Sequence, residues 1–131
     1  MNFLKKIKSL LLIFTLLIST TVFSQNFNSI SKAMQVGNAS ELAKHFDGNV
    51  EVTILKKSSN YSKSQAEMVI KNFFNSNQPR SYKSVHNGSS GGGAQYQIGE
   101  LVCSSKTYRT YIFGKPKGGS FLIQEIRIED N

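Results

Sequence analysis

The chain has 131 residues, 39% of them hydrophobic, with a formal net charge of +8, one cysteine and no tryptophan. That length suits one small domain with a modest core, and a single cysteine excludes an internal disulfide. The basic residues are spread along the sequence without interleaved aromatics, which argues against a nucleic-acid face and for solubility with weak attraction to anionic surfaces.

Residues 1 to 24 read MNFLKKIKSLLLIFTLLISTTVFS. Lys5, Lys6 and Lys8 form a positive n-region, and residues 9 to 18 form an apolar h-region. Small polar residues follow, with a cleavage site after Val22-Phe23-Ser24. This is the layout of a secretory signal peptide. The apolar run is shorter than the roughly 20 residues a spanning helix needs, so no stable membrane anchor is expected after cleavage. A lipoprotein needs a cysteine at the cleavage point, and the one cysteine is Cys103. The expectation is an exported protein, periplasmic or secreted, whose single domain runs over residues 25–131.

In chain order, residues 27 to 36 place Ile30, Ala33 and Met34 on one helical face, and Gly37 fits the position just past the helix end. Asn38 caps a second helix with Glu41 as its capping-box partner, and Leu42, Ala43 and Phe46 form the inner face. Residues 47 to 49, DGN, form a turn. Residues 50 to 55 alternate as a half-buried strand with Val50, Val52 and Ile54 on one side. Residues 56 to 60, KKSSN, read as a polar loop. Ser64 and Glu67 fit a second capping box, and Ala66, Val69, Ile70, Phe73 and Phe74 form the strongest helical stripe in the chain. Pro79 and the asparagines before it end that helix.

The remainder reads as four strands over 80–87, 94–104, 106–114 and 120–129, with KPKGG as the last hairpin loop. Gly99 marks a bulge or a close backbone approach. The order α-α-β-α-β-β-β-β predicts an α+β fold, with N-terminal helices packed on a curved antiparallel sheet.

The stretch VHNGSSGGGAQY, residues 85 to 96, invites a phosphate-loop reading. That loop needs Lys after the glycines and a helix beyond them; here Ala94, Gln95 and Tyr96 follow, in a strand-like segment. Gly88, Ser90 and Gly92 satisfy G-x-S-x-G, but a nucleophile elbow needs a following helix and a later histidine. His45 and His86 both precede Ser90. The stretch is therefore expected to be a hairpin connection. No Cys/His cluster or EF-hand loop is present, so no metal is expected. His45 and Asp47 read as one polar surface pair, and Cys103 as a small core residue.

The segments LAKHFDGNVEVTIL, YSKSQAEMVIKNFF, HNGSS, YQIGELV and FLIQEIRIE, behind a signal peptide, resemble the domain of unknown function 4783 family of small exported Bacteroidota proteins. The resemblance covers residues 25–131. It implies a nuclear transport factor 2-like (cystatin-like) cone, with helices wrapped on a curved sheet around a pocket. It carries over no catalytic residue and no cofactor. Members of that superfamily include isomerases, dehydratases, non-catalytic ligand binders and domains that dimerise through the sheet, so a homodimer through the sheet is one expectation and fold alone does not choose.

Pocket candidates are Tyr82, His86, Tyr96, Glu100 and Tyr108, with Glu125 as a further carboxylate. Each has a plainer role: glutamates on a solvated strand face, tyrosines favoured in sheets, a histidine bonded locally. The reading preferred is a non-catalytic exported domain that binds a small ligand or a protein partner through its pocket or sheet face. The alternative is a small lyase or isomerase using the cavity. A buried carboxylate facing a tyrosine across the cavity separates the second from the first.

Overall fold

A computed structural model describes residues 2–8 and 21–131 of the chain. The h-region expected over residues 9 to 18 lies outside the described residues. A short helix, α1, covers residues 2–8. Helix α2 (Thr21–Val36) buries Phe27, Ile30, Ala33 and Met34. It closes with the Asn38 N–H on Ala33 O at 2.9 Å and the Gly37 N–H on Met34 O at 3.3 Å, the bond pair of a Schellman end. Asn38 then caps α3 (Ala39–Ala43) by accepting the Glu41 N–H at 3.0 Å. The Glu41 carboxylate turns to Lys44 at 2.8 Å, so the expected box closes on one side only.

Strand β1 (Phe46–Ile54) starts earlier than its alternation suggests. The DGN segment is not a free turn. It is an irregular strand start, with a register shift between Phe46 and Glu51 against the neighbouring strand. The expected polar loop KKSSN is in fact largely strand β2 (Lys57–Ser62), paired antiparallel with β1. It lies at the sheet edge and is exposed over residues 57–60, so it carries no apolar alternation to read. Helix α4 (Lys63–Ser76) is capped by Ser62 and Gln65 rather than Ser64 and Glu67, with both reciprocal bonds present. Its stripe buries Ala66, Ile70, Phe73 and Phe74, with Val69 half-buried.

Strands β3 (Pro79–Ser89), β4 (Gln95–Cys103), β5 (Thr107–Lys117) and β6 (Ser120–Asp130) complete a six-stranded sheet of order β2-β1-β6-β5-β4-β3. It is antiparallel at every junction except β1–β6. From α2 onward the element order gains one strand over the expected one. Register shifts at Phe46/Glu51, Pro79/Ser81, Ser84/His86 and Phe113/Gly114 bend the sheet, since a bulge kinks its strand and sharpens local twist. The result is an α+β fold with helices held in the concave face of a curved sheet.

Residues 90 to 94 connect β3 to β4. Gly91, Gly92 and Gly93 all take positive φ, at 76°, 60° and 79°, where a side chain would be strained. The Ser90 N–H donates to Ala94 O, and the Ala94 N–H to Gly91 O, each at 2.9 Å. The glycine-rich stretch is thus a hairpin connection, as its composition suggests. The final hairpin is tighter than expected. Lys115, Pro116 and Lys117 belong to β5, and the turn is Gly118-Gly119 alone.

Helix α2 lies against β3 and β4, while α4 lies against β1 and β2. Phe27 of α2 meets Phe121 of β6 edge to face at 5.4 Å. The core joins α2 and α4 to Leu101, Ile112, Ile123, Ile126 and Ile128 of the sheet. Cys103 is buried in it, and burial pushes its thiol pKa up.

Candidate functional site

Strand alternation sorts the candidate residues by face. On β4, Gln97, Gly99, Leu101 and Cys103 are buried toward the helices. Tyr96, Ile98 and Glu100 therefore point to the opposite, outer face. His86 shares that outer face through its pairing with Ile98. The bulge at Ser84/His86 separates it from Tyr82, which pairs with Leu101 and faces inward. Tyr108 also pairs with Leu101 and is buried. So two of the five candidates, Tyr82 and Tyr108, face the helices. The other three, His86, Tyr96 and Glu100, do not share a site with them.

Tyr82 donates its hydroxyl to Gln97 Oε1 at 2.6 Å, and Thr110 Oγ1 lies 3.5 Å from the same hydroxyl. Ser31 of α2 donates to Gln97 Oε1 at 3.4 Å. Burial drives the Tyr82 pKa up to about 12, so the group stays a neutral phenol at physiological pH. No carboxylate belongs to this network. Its effect is to tie α2 to the middle of the sheet. The ring packs so close to Gly99 that an added Cβ there would stand 2.5 Å from the hydroxyl, which accounts for a glycine in mid-strand.

On the outer face, Tyr96 lies across the backbone of Gly88. A Cβ on Gly88 would stand 2.2 Å from the Tyr96 ring. Tyr96 also stacks on Tyr111 at 5.8 Å, and its hydroxyl lies 3.3 Å from His86 Nε2. Arg127 sits over Tyr111 at 5.3 Å and pairs with Glu125 at 2.9 Å. Glu100 and Glu125 are half-buried on this face.

A groove of about 790 Å³ lies between α4 and the β1–β2 end of the sheet, within the ~300–1,000 Å³ usual for small-molecule sites. Its walls are Val52, Ile54, Tyr61, Val69, Phe73 and Tyr108. Polar groups gather at its rim: Lys56, Lys57, Asn72 and Asp130. Tyr108 is the one sequence candidate that lines it. Its hydroxyl donates to Asn77 Oδ1 at 2.8 Å, and the Asn77 amide donates to Phe73 O at 3.2 Å. Asn77 thus ends α4 and closes the groove floor together. The sequence shows that residue only as a helix breaker. Lys56 and Lys57 were hidden in an expected loop; two adjacent lysines directly after an apolar strand were the signal.

The groove contains one carboxylate, Asp130. It is exposed and ion-paired with Lys106, whose ammonium also sits 5.2 Å from the Tyr108 ring centre. The most buried carboxylate, Asp47, is elsewhere, at the start of β1. It does not pair with His45 as expected. It accepts the Gly48 N–H at 2.7 Å, Lys117 Nζ at 3.1 Å and Gln124 Nε2 at 3.2 Å. The Gly48 amide first, then Lys117, holds its pKa below the usual carboxylate range. Among the described residues, no group of three or more His, Cys, Asp or Glu side chains is placed to hold a metal ion.

Comparison with known proteins places these features. The family model described as Domain of unknown function (DUF4783) matches residues 27–129. The crystal structure of a DUF4783 family protein from Bacteroides ovatus is 25% identical and superimposes with a TM-score of 0.76, covering 79% of this chain and 94% of that one. A domain of unknown function with a cystatin-like fold from Nostoc punctiforme is 8% identical, with a TM-score of 0.67 over 86% and 79% of the two chains. A designed NTF2 protein with a long sheet is 15% identical, with a TM-score of 0.65 over 81% and 98%. The last two likenesses concern the fold alone. None of the curated proteins matches the chain.

Proposed function

The chain belongs to the Domain of unknown function (DUF4783) family, and on that premise we propose that it is a non-catalytic binding domain that takes a small ligand in the groove between α4 and the β1–β2 end of the sheet. The observation that carries this is the groove's make-up: apolar walls, a polar rim, and no carboxylate held in apolar surroundings. A lyase or isomerase of the superfamily type needs a carboxylate base facing a tyrosine or protonated acid across a dry cavity. Tyr108 instead meets the Asn77 carboxamide. Asp130 is exposed and tied to Lys106. Each supports binding over catalysis.

The test is titration with 1-anilinonaphthalene-8-sulfonate, an apolar fluorophore with an anionic end. The proposal expects a saturable rise in emission at one site of the folded protein. Ser76→Trp, on the exposed rim of the groove, should abolish that rise without unfolding the domain. Equal binding by the parent and Ser76→Trp would overturn the groove as the site.

Export is part of the same proposal. The positive, apolar and small-residue layout of residues 1 to 24 supports it, and the family match begins at residue 27, just past Ser24. Cleavage after Ser24 would leave the buried α2 residues Phe27, Ile30, Ala33 and Met34 in the mature chain. N-terminal sequencing of exported material should start within a few residues of Gln25. An intact Met1 terminus held in membrane would contradict it.

The outer sheet face supports a second reading, association with another copy of this chain. The row of His86, Tyr96 and Tyr111 crosses three strands on the sheet face opposite α2 and α4, and aromatic residues are enriched at such contacts. Light scattering across a concentration series tests it. A dimer lost on Tyr111→Glu agrees, and a monomer at every concentration does not.

A further inference from the structure

From the turn that joins β1 to β2, we infer that the groove's ligand is a single-chain amphiphile whose head is an anion, a carboxylate or a phosphate. The inference rests on the groove being a binding site, as proposed above. Ile54 pairs with Lys57, so the turn has only two central residues, Leu55 and Lys56. Leu55 adopts φ 58° and is the one non-glycine residue among those described with positive φ. The first central position of such a turn ordinarily goes to glycine. A bulky side chain there is a backbone outlier, and outliers of this kind cluster at ligand sites. The backbone is held in place by the Leu55 N–H on Ile128 O at 2.7 Å.

That conformation leaves Leu55 41% exposed at the mouth of the groove, continuous with the apolar walls. It also sets Lys56 and Lys57 side by side on the same rim. Neither lysine has an ion-pair partner within 4 Å among the described residues. The groove's own carboxylate, Asp130, is already engaged by Lys106. Leu55 and Lys56 also border a smaller depression of about 490 Å³, shared with Thr53, Ser58, Glu129 and Asp130. The groove therefore has an apolar interior and a cationic lip, and the apolar lip residue is kept despite backbone strain. An alkyl chain laid along Val52, Val69 and Phe73, with its anion between the two ammonium groups, satisfies both halves. A cationic head would be repelled by the two lysines, and an uncharged one would leave them without a counter-charge.

Calorimetric titration of the full domain with four twelve-carbon probes separates the claims: dodecanoate, dodecyl phosphate, dodecanol and dodecyltrimethylammonium, each below its micelle concentration. We expect either anionic probe to bind about tenfold more tightly than dodecanol, on the scale of two exposed ion pairs. The ratio of dodecanoate to dodecyl phosphate identifies the head. That preference should fall with salt and vanish in K56Q/K57Q, which should still bind dodecanol normally. Leu55→Gly should weaken all four probes while the domain remains folded. Equal affinity for dodecanoate, dodecyl phosphate and dodecanol would overturn the anionic head and leave the groove standing. No binding of any probe would overturn the groove itself.

Discussion

Phe73 of α4 and Tyr108 of β5 meet edge to face, with ring centroids 5.1 Å apart and planes at 75°. This contact joins the strongest helical stripe in the sequence to the floor of the groove. Phe73 is 7% exposed. Phe73→Ala should cost about 3–5 kcal/mol, the range for a buried ring. Ser90→Ala, in the β3–β4 connection, should change stability by about 0.5 kcal/mol or less. Chemical denaturation of both variants checks the pair. A harmless Phe73→Ala would mean that α4 does not anchor the fold.

Much of the fold was legible because local and tertiary signals agree. Ala66, Ile70, Phe73 and Phe74 repeat at helical spacing, and the same residues are the buried ones. Gly91 to Gly93 announce a connection, and their φ values require one. Strand β2 was illegible for a physical reason. As an edge strand exposed on both sides over residues 57–60 it buries little, so its pairing leaves no apolar period. The cap of α4 was misplaced by two residues because both Ser62/Gln65 and Ser64/Glu67 fit a capping box, and sequence cannot weigh them.

The site was harder to read than the fold. Tyr96 and Glu100 stand at even spacing from each other and odd spacing from Leu101, so alternation alone places them opposite the core. Chemical type had suggested grouping them with Tyr82 and Tyr108. His86 needed the bulge after Ser84, which no local pattern reveals. Asn77 looked like punctuation, and its role depends on Tyr108, far away in sequence.

Asp47 gives a pH prediction. Its folded pKa lies below the usual carboxylate value through the Gly48 amide and Lys117. A depressed folded pKa contributes stability above the unfolded value near ~3.9, and that contribution is lost as pH falls toward the folded value. Asp47→Asn should therefore cost about 1–2 kcal/mol at neutral pH, the scale of hydrogen bonds to a charged group. The gap to the parent should narrow as pH falls below the unfolded value toward the lower folded one. Urea midpoints across pH for both proteins measure it. A gap that stays constant with pH would show that the Asp47 charge contributes nothing.

Leu55→Gly should leave stability within about 1 kcal/mol of the parent or raise it. The strain released, ~1–2 kcal/mol, is offset by ~0.5–1 kcal/mol of extra backbone freedom in the unfolded chain. Urea denaturation decides. A loss of about 2 kcal/mol or more would mark Leu55 as a packing residue, held for the fold and not for a ligand.

Replacing residues 90 to 94 with Asn-Gly should keep the domain folded. Ser89 and Gln95 are already paired, and a two-residue turn suits that register. Loop length itself carries little free energy. The check is a two-dimensional amide spectrum, with unchanged signals for α4 and β1 expected. Loss of dispersed signals throughout would mean that the glycine stretch is needed for the fold.

The central claim is that ligand enters the groove under α4, not the outer sheet face. Amide chemical-shift mapping on addition of dodecanoate tests it most directly. Saturable shifts are expected at Val52, Leu55, Val69, Phe73 and Tyr108, with His86, Tyr96 and Tyr111 unmoved. Shifts confined to the outer-face residues, or none at all, would contradict it.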